Sequence, residues 1–320
     1  YMPTDPGAVR REVVEKTALH AGLYADKGAH PEFRNVVLVT AANFAYFPIF
    51  RNWECQAERL GLDWVVIAND DESYHRLRAD RVLPVTGHLV TGMVGWGNVK
   101  LDYVGLNKMT TVRDILTWTD LDVVFTDCDN MFIRSPFDAG VSLGDLIRTR
   151  EYDYLYQPEL HARPKVGYKS PGDGGNTGFW YASGRKKAQI TAFFGSVVVA
   201  VAGRIAEVGH GADQNIWWQT FNKMRQQGGS GKGPWGFRCV RLCDRKASCQ
   251  APANDTLEYC SMDPFVHPTG WEDAEKWADS LASYHANYAT SEGKIPKLKK
   301  LGLWGLWDEK SGQCRAPEKK

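Results

Sequence analysis

The chain lacks a long uninterrupted apolar run. Its most apolar stretch, Ile190 to Ala202, is broken by Gly195 and Ser196 and closed by Arg204, short of the roughly 20 residues a membrane-spanning helix needs. No charged-then-apolar leader opens the sequence either. The first residues, YMPTDPGAVRREVVEK, are polar, so targeting or anchoring information is expected to lie in a segment outside this sequence. Neither sign of charge dominates: Lys plus Arg number 39, Asp plus Glu 38, and the formal net charge is +1. That excludes bulk electrostatic attraction to nucleic acid or to an anionic membrane. There is no internal repeat and no evident linker. With 43% hydrophobic and 24% charged residues over 320 positions, the composition is that of a folded α/β chain of one large or two small domains.

None of the seven cysteines forms a C-x2-C pair, which removes the commonest zinc and redox modules. Cys239, Cys243, Cys249 and Cys260 instead crowd one segment with the spacing C-x3-C-x5-C-x10-C, while Cys55, Cys128 and Cys314 stand apart. This spacing favours at least one disulfide among the four over a metal site. The same segment carries the glycosylation sequon Asn254-Asp255-Thr256, and the two features together point to an oxidising, secretory compartment.

The apolar pattern alternates between strand and helix. Residues 1–34 are polar and partly helical, like a stem. Asn35 to Ala41 is a β-branched run read as a buried strand. Ile49, Trp53, Ala57 and Leu60 recur at helical spacing, and Gly61 closes that helix. Trp64 to Ala68 and Val82 to Val85 are further strands; Met109, Val112, Ile115 and Leu116 mark a helix; Leu121 to Phe125 is a strand again. Such alternation predicts a parallel sheet flanked by helices, with ligands beyond the carboxyl ends of the strands. The second half is more mixed. Asp153 to Gln157 and Gly178 to Ala182 read as strands, Arg185 to Val208 as a helix, and Asp213-Gln214 as the head of a helix buried through Trp217, Phe221 and Met224. Gln227 to Gly236 is Gly-rich and expected to be a loop, with the cysteine segment following as an insertion.

Four constellations carry chemistry. Asp127-Cys128-Asp129 follows LDVVF. Alternate residues leaving a strand point the same way, so the two carboxylates can face one hard divalent cation, Mg²⁺ or Mn²⁺. A second triplet, Asp120-Leu121-Asp122, precedes the apolar run and reads as a helix-to-strand turn. Asn176-Thr177-Gly178 follows a glycine run, where backbone can approach a ligand closely. Asp213 is both a natural helix cap and a candidate active-site acid. His285 lies in SYHAN, with Gly293, Lys294 and Lys297 downstream. Gly229-Ser230-Gly231-Lys232-Gly233 is rejected as a phosphate loop, because it lacks the leading Gly and the closing Ser or Thr of that motif.

Taken in order, VVLVTAANFAYF, LNKMTTVRDIL, DVVFTDCDN, GNTGFWYASG, ADQNIWW and YHANYATSEGKIPKLKKLG resemble the nucleotide-diphospho-sugar transferases of glycosyltransferase family 77. The resemblance spans about residues 35–305 and implies a GT-A fold, a Rossmann-like, mostly parallel sheet flanked by helices with a mixed C-terminal half. It divides the chain into a stem-like segment 1–34, a transferase domain 35–305 with a Gly/Cys-rich insertion at about 227–268, and a tail 306–320. It implies a type II Golgi protein, lumenal, touching the membrane only through an anchor outside this sequence. The implied activity is retaining transfer of xylose, arabinose or galactose from a UDP-sugar to a glycoprotein or cell-wall glycan, with Mn²⁺ or Mg²⁺ bound. By this resemblance Asp127, Asp129 and His285 hold the metal, with Cys128 between the two acids. Gly293 with Lys294 or Lys297 meets the diphosphate, and Lys108 reaches the diphosphate or donor sugar. Thr40, Ala41 and Asn43 line the nucleotide, joined by Asp70; Asn176, Asp213 and Gln214 surround the donor sugar and the reacting face; and the 227–268 segment contributes to the acceptor surface.

Two other readings compete. A haloacid-dehalogenase-like phosphatase also places D-x-D after a buried strand, with Asp127 as nucleophile, but its pattern calls for Thr or Val where Met131 stands. An inactive sugar-nucleotide or glycan-binding module would use the 12 tryptophans for stacking, yet Trp53 and Trp217 sit at core spacing.

Overall fold

The computed structural model describes residues 1–94, 98–140, 142–160, 163–164, 174–210, 213–230, 236–240, 256–287 and 291–316. Helix α1 (Pro6–Leu19) starts where Asp5 caps Ala8 N–H and proline occupies the first turn. Met2, Val9 and Val13 are buried against the rest of the chain, and Lys16 donates to the Val82 carbonyl at 2.7 Å. The segment expected to be stem-like is therefore packed onto the domain over this length.

The first half is built as the periodicity predicts. Strand β1 (Val36–Ala42) leads into α2 (Phe47–Arg59), then β2 (Val65–Ala68), α3 (Asp71–Arg76), β3 (Val82–Leu83), α4 (Val99–Trp118) and β4 (Asp122–Thr126). Strands β3, β2, β1 and β4 are parallel neighbours, with Val39 opposite Val65 and Leu38 opposite Val124. Both faces of β1 are covered, which is why it reads as a run of Val, Leu and Ala and not as an alternating strand. After β4 come β5 (Asn130–Phe132), α5 (Ser142–Thr149), β6 (Tyr154–Pro158), β7 (Gly175–Ala182), α6 (Lys187–Val208), α7 (Asp213–Ser230), β8 (Gly236–Val240) and β9 (Thr256–Ser261). The chain closes with β10 (Ser283–His285), α8 (Ser291–Lys300), β11 (Trp307–Asp308) and β12 (Gln313–Cys314). The central sheet has the order β3-β2-β1-β4-β7-β6-β9-β8. Only β7 runs against its neighbours β4 and β6, so the fold is α/β with a mostly parallel sheet between helices.

Two expectations are corrected. The Gly-rich run predicted as a loop from Gln227 remains helical to Ser230 at the end of α7, and residues 231–235 lie outside the described residues. Of the cysteine segment, the described strands β8 and β9 extend the central sheet from β6, and residues 241–255 lie outside the described residues. The helix expected over Arg185 to Val208 forms as α6, which runs 22 residues; although its apolar run was expected to be too short for a membrane span, it is, by length and composition, apolar enough to cross one. Here its Ile190, Phe193, Phe194, Val197 and Val201 face inward, and Phe193 and Phe194 pack edge-on against Trp217 of α7 at 4.6 and 5.0 Å.

Cys55 of α2 is joined to Cys314 of β12 by a disulfide, a pairing that nothing in the sequence flagged. Cys260 is disulfide-bonded; the side chains of Cys239, Cys243 and Cys249, and residues 254–255 of the sequon, lie outside the described residues. Asp122, opening β4, accepts from Tyr181 Oη at 2.7 Å and from Gly184 N at 2.7 Å, so the upstream acidic triplet has the structural role its position predicts.

Candidate active site

A cavity opens beyond the carboxyl ends of β1, β2 and β4, where a parallel sheet leaves its strand-end loops free. Asp127 and Asp129 lie on its floor. Asp127 N–H continues the sheet by donating to Gly178 O at 2.7 Å, and Asn130 N–H turns back to Asp127 O at 3.0 Å. The chain then enters β5, which pairs with β10 so that Asn130 faces His285. Ala286 N–H donates to Asp129 O at 3.0 Å. This two-stranded ribbon brings His285 to the acids from far along the chain: its Nε2 lies 3.3 Å from Asp129 Oδ1 and 3.9 Å from Asp127 Oδ2. One ligand atom from each of the three residues falls within 4.8 Å of the others. Two carboxylates and one imidazole form a donor set that suits a hard-to-borderline divalent cation.

Gly178 makes this approach possible. A Cβ at that position would stand 2.4 Å from both Asp127 Oδ2 and His285 Cε1, so a larger residue would displace two of the three donors. Gly105 of α4 has a similar function on the opposite wall, where a Cβ would lie 2.5 Å from Asp213 Cβ.

Two lysines, Lys108 buried and Lys294 partly buried, balance the acids. Lys108 Nζ is 3.2 Å from Asp213 Oδ2 and 3.7 Å from Asp127 Oδ1, and donates to Thr177 O at 3.1 Å. Burial alone would lower the Lys108 pKa, but Asp127 and Asp213 outweigh it and hold the ammonium charged. Lys294 is ion-paired and hydrogen-bonded to Asp129 Oδ2. Burial would raise Asp129, yet Lys294 and His285 pull its carboxyl far below the ordinary range. Asp127 moves the other way, raised by loss of water, against the pull of Lys108 and with the push of Asp129. Cys128 is a free, buried thiol, pushed up by burial and by the two flanking carboxylates.

The opposite wall is built on α7 and β7. Asp213, first residue of α7, accepts from Thr177 Oγ1 at 3.2 Å, and Gln214 Oε1 accepts from Thr177 N at 3.3 Å. Asn176 Oδ1 accepts from Gly178 N at 2.6 Å, and its Nδ2 donates to Glu159 Oε2 at 2.6 Å. The buried Trp217, Phe221 and Met224 fix the position of α7.

Of the residues expected from sequence, the cavity brings together Ala41, Asn43, Lys108, Asp127, Cys128, Asp129, Asn176, Asp213, Gln214, His285 and Lys294. Four stand elsewhere. Thr40 is fully buried inside β1, on the face opposite its neighbour Ala41. Asp70 caps α3 through Ser73 N and accepts from Phe44 N at 3.0 Å, so it shapes the wall from behind. Gly293 is half-buried in the first turn of α8. Lys297 donates to the carbonyls of Gly270 and Asn287 at 3.2 Å, leaving Lys294 as the lysine that lines the cavity. Tyr46, Asn69, Gly105, Thr177 and Asn287 also line it; Asn69 and Asn287 were visible as polar residues directly after apolar runs, whereas Tyr46 and Gly105 gave no sequence signal.

Fold and site together define an α/β enzyme with an acidic, lysine-flanked strand-end cavity suited to an anionic ligand and a divalent cation. The chain belongs to the nucleotide-diphospho-sugar transferase family, whose sequence model matches residues 62–298. Among solved structures it is similar to the glycosyltransferase GlyE of Streptococcus pneumoniae TIGR4, at 13% identity and a TM-score of 0.43, covering 83% of this chain and 64% of that one. It is also similar to the galactosyltransferase LgtC in complex with donor and acceptor sugar analogues, at 12% identity and a TM-score of 0.42, covering 85% of this chain and 98% of that one. The chain thus spans less than two thirds of the length of GlyE. No curated protein matched it.

Proposed function

We propose that the protein is a retaining, metal-dependent glycosyltransferase of family 77, transferring xylose, arabinose or galactose from a UDP-sugar to a hydroxyl of a glycoprotein or cell-wall glycan. The observation that carries this reading is the convergence of Asp127, Asp129 and His285 within 4.8 Å between Lys108 and Lys294 and opposite Asp213. When bound there, Mn²⁺ or Mg²⁺ supplies neutralisation of the charge gathering on a departing diphosphate. Lys294 and Lys108 add ammonium groups on either side of the same floor, and both are held charged by their carboxylate partners. Asp213, ion-paired with Lys108 and braced by Thr177, faces the cavity from the far wall, placed to stabilise positive charge on an anomeric carbon. The acceptor hydroxyl attacks from the face that UDP leaves, with a phosphate oxygen as base. The disulfide Cys55–Cys314 supports an oxidising compartment, and we place the protein in the Golgi lumen.

The test is UDP release from a panel of UDP-sugars with and without Mn²⁺, followed by NMR of the product's anomeric proton. Metal-dependent UDP release with retained configuration is expected. Phosphate release from a simple phosphomonoester, without use of any nucleotide-sugar, would favour the phosphatase reading; UDP binding with no turnover against every acceptor would favour the inactive module.

A further inference from the structure

Gln157 is fully buried, contacts neither cavity nor solvent, and spends all its polar capacity in one place. Its Nε2 donates to the carbonyls of His267 and Pro268, each at 3.0 Å. A carbonyl oxygen can only accept, so both contacts require the NH₂ end of the amide to point at them. Flipping the amide would set Oε1 against two carbonyl oxygens in a fully buried site. The orientation is therefore forced, and Oε1 faces the other way, 3.1 Å from Nδ1 of His285. An amide oxygen also only accepts, so Nδ1 of His285 must carry a hydrogen. The other ring nitrogen, Nε2, is the one turned to Asp127 and Asp129.

The backbone is arranged for the same end. The pairing of β6 with β7 slips register between Tyr156 and Gln157, and such a bulge re-aims the side chain that follows it. Pro268 O also accepts from His285 N at 3.2 Å, and Gly270 N donates to His285 O at 2.8 Å. The segment that receives the Gln157 amide is thus the same one that holds the His285 main chain.

We infer that Gln157 is a positioning residue for the metal centre: it locks the His285 hydrogen on Nδ1, so that Nε2 is the ring atom offered to the cation. The inference rests on the metal-dependent reading of the site given above. A metal-bound histidine whose second nitrogen is anchored in this way loses affinity when the anchor is removed, typically 10–100-fold.

The experiment has two arms. In the first, wild-type protein labelled with ¹⁵N-histidine is examined without metal by long-range ¹H–¹⁵N NMR, with His285→Ala to assign the signals. A hydrogen is expected on Nδ1, and a spectrum showing Nδ1 without one overturns the inference without any need for a Gln157 variant. In the second, Mn²⁺ affinity in the presence of UDP is measured by calorimetry for wild type, Gln157→Met and His285→Ala. Gln157→Met keeps the volume and loses the acceptor, so Mn²⁺ binding should weaken about 10–100-fold. If wild type binds Mn²⁺, His285→Ala loses it and Gln157→Met does not, the inference falls and the metal reading stands. If wild type binds no divalent cation, the metal reading falls and takes the inference with it.

Discussion

Asp127 and Asp129 are chemically the same side chain, two residues apart, and the fold drives them in opposite directions. Asp129 is buried between Lys294 and His285 and is held ionised; Asp127, a third exposed at 35%, is raised by loss of water. On the proposed metal-dependent reading, Asp129 is expected to be the anchoring carboxylate of the pair. Asp129→Ala should abolish Mn²⁺-dependent UDP binding, measured by calorimetry, while the far-ultraviolet circular dichroism stays that of wild type; unchanged Mn²⁺ and UDP titrations would remove it from the site. Asp213 carries a different expectation. Its carboxylate faces Lys108 and Thr177, contacts that a helix cap alone would not need. Asp213→Asn keeps the shape and the capping ability but not the charge. Turnover should fall by about 100-fold or more with UDP affinity nearly constant, because the charge matters in the transition state. Wild-type turnover in that variant would leave Asp213 as a cap only.

At the scale of elements, β7 matters most to the site, because it lies against β4 and passes directly behind Asp127. Gly178→Ala tests how close that passage is. The added methyl meets Asp127 and His285 at 2.4 Å, so the variant should fold, retain a melting temperature within a few degrees of wild type, and lose most of its Mn²⁺ affinity. Helix α2 offers a pH-dependent test away from the site. Glu54 is almost fully buried, and burial, only partly opposed by Arg51, raises its pKa from 4.5 to about 7. A raised carboxyl contributes stability that is complete below about pH 4.5 and is lost as pH rises through about 7. Relative to wild type, Glu54→Gln should therefore gain up to roughly 3 kcal/mol between those pH values, read from urea unfolding; a stability difference that is flat with pH would contradict the assignment. The helices around these residues were legible from their periodicity and the strands from short, unbroken apolar runs. Val36 to Ala42 is a covered strand, and Asp127-Cys128-Asp129 follows one. The ribbon of β5 and β10 was not legible, since three-residue strands carry no period, and neither was Gln157, whose role depends on a bulge and on carbonyls more than a hundred positions away. Thr40 was misplaced because a strand's end shows which residues are near a site but not which face each one takes.

For the whole molecule, the main fact beyond the sheet is that helix α2 and strand β12, far apart in sequence, are tied together. Strands β8 and β9 complete the sheet at one edge, while β12 returns to α2 and is held there by Cys55–Cys314, 259 residues apart in sequence. Two cysteines so distant leave no local spacing to read, which is why this bridge was invisible where the crowded four were not. Replacing both with Ala should lower stability by about 2–4 kcal/mol, measured by denaturant unfolding, and leave metal binding intact, because neither sulfur lines the cavity. The bridge also makes most of the polypeptide a covalent ring. A protease that cuts once anywhere between residues 55 and 314 opens the ring without releasing a piece, so the nicked protein keeps its full mass until a thiol is added and only then separates into two fragments.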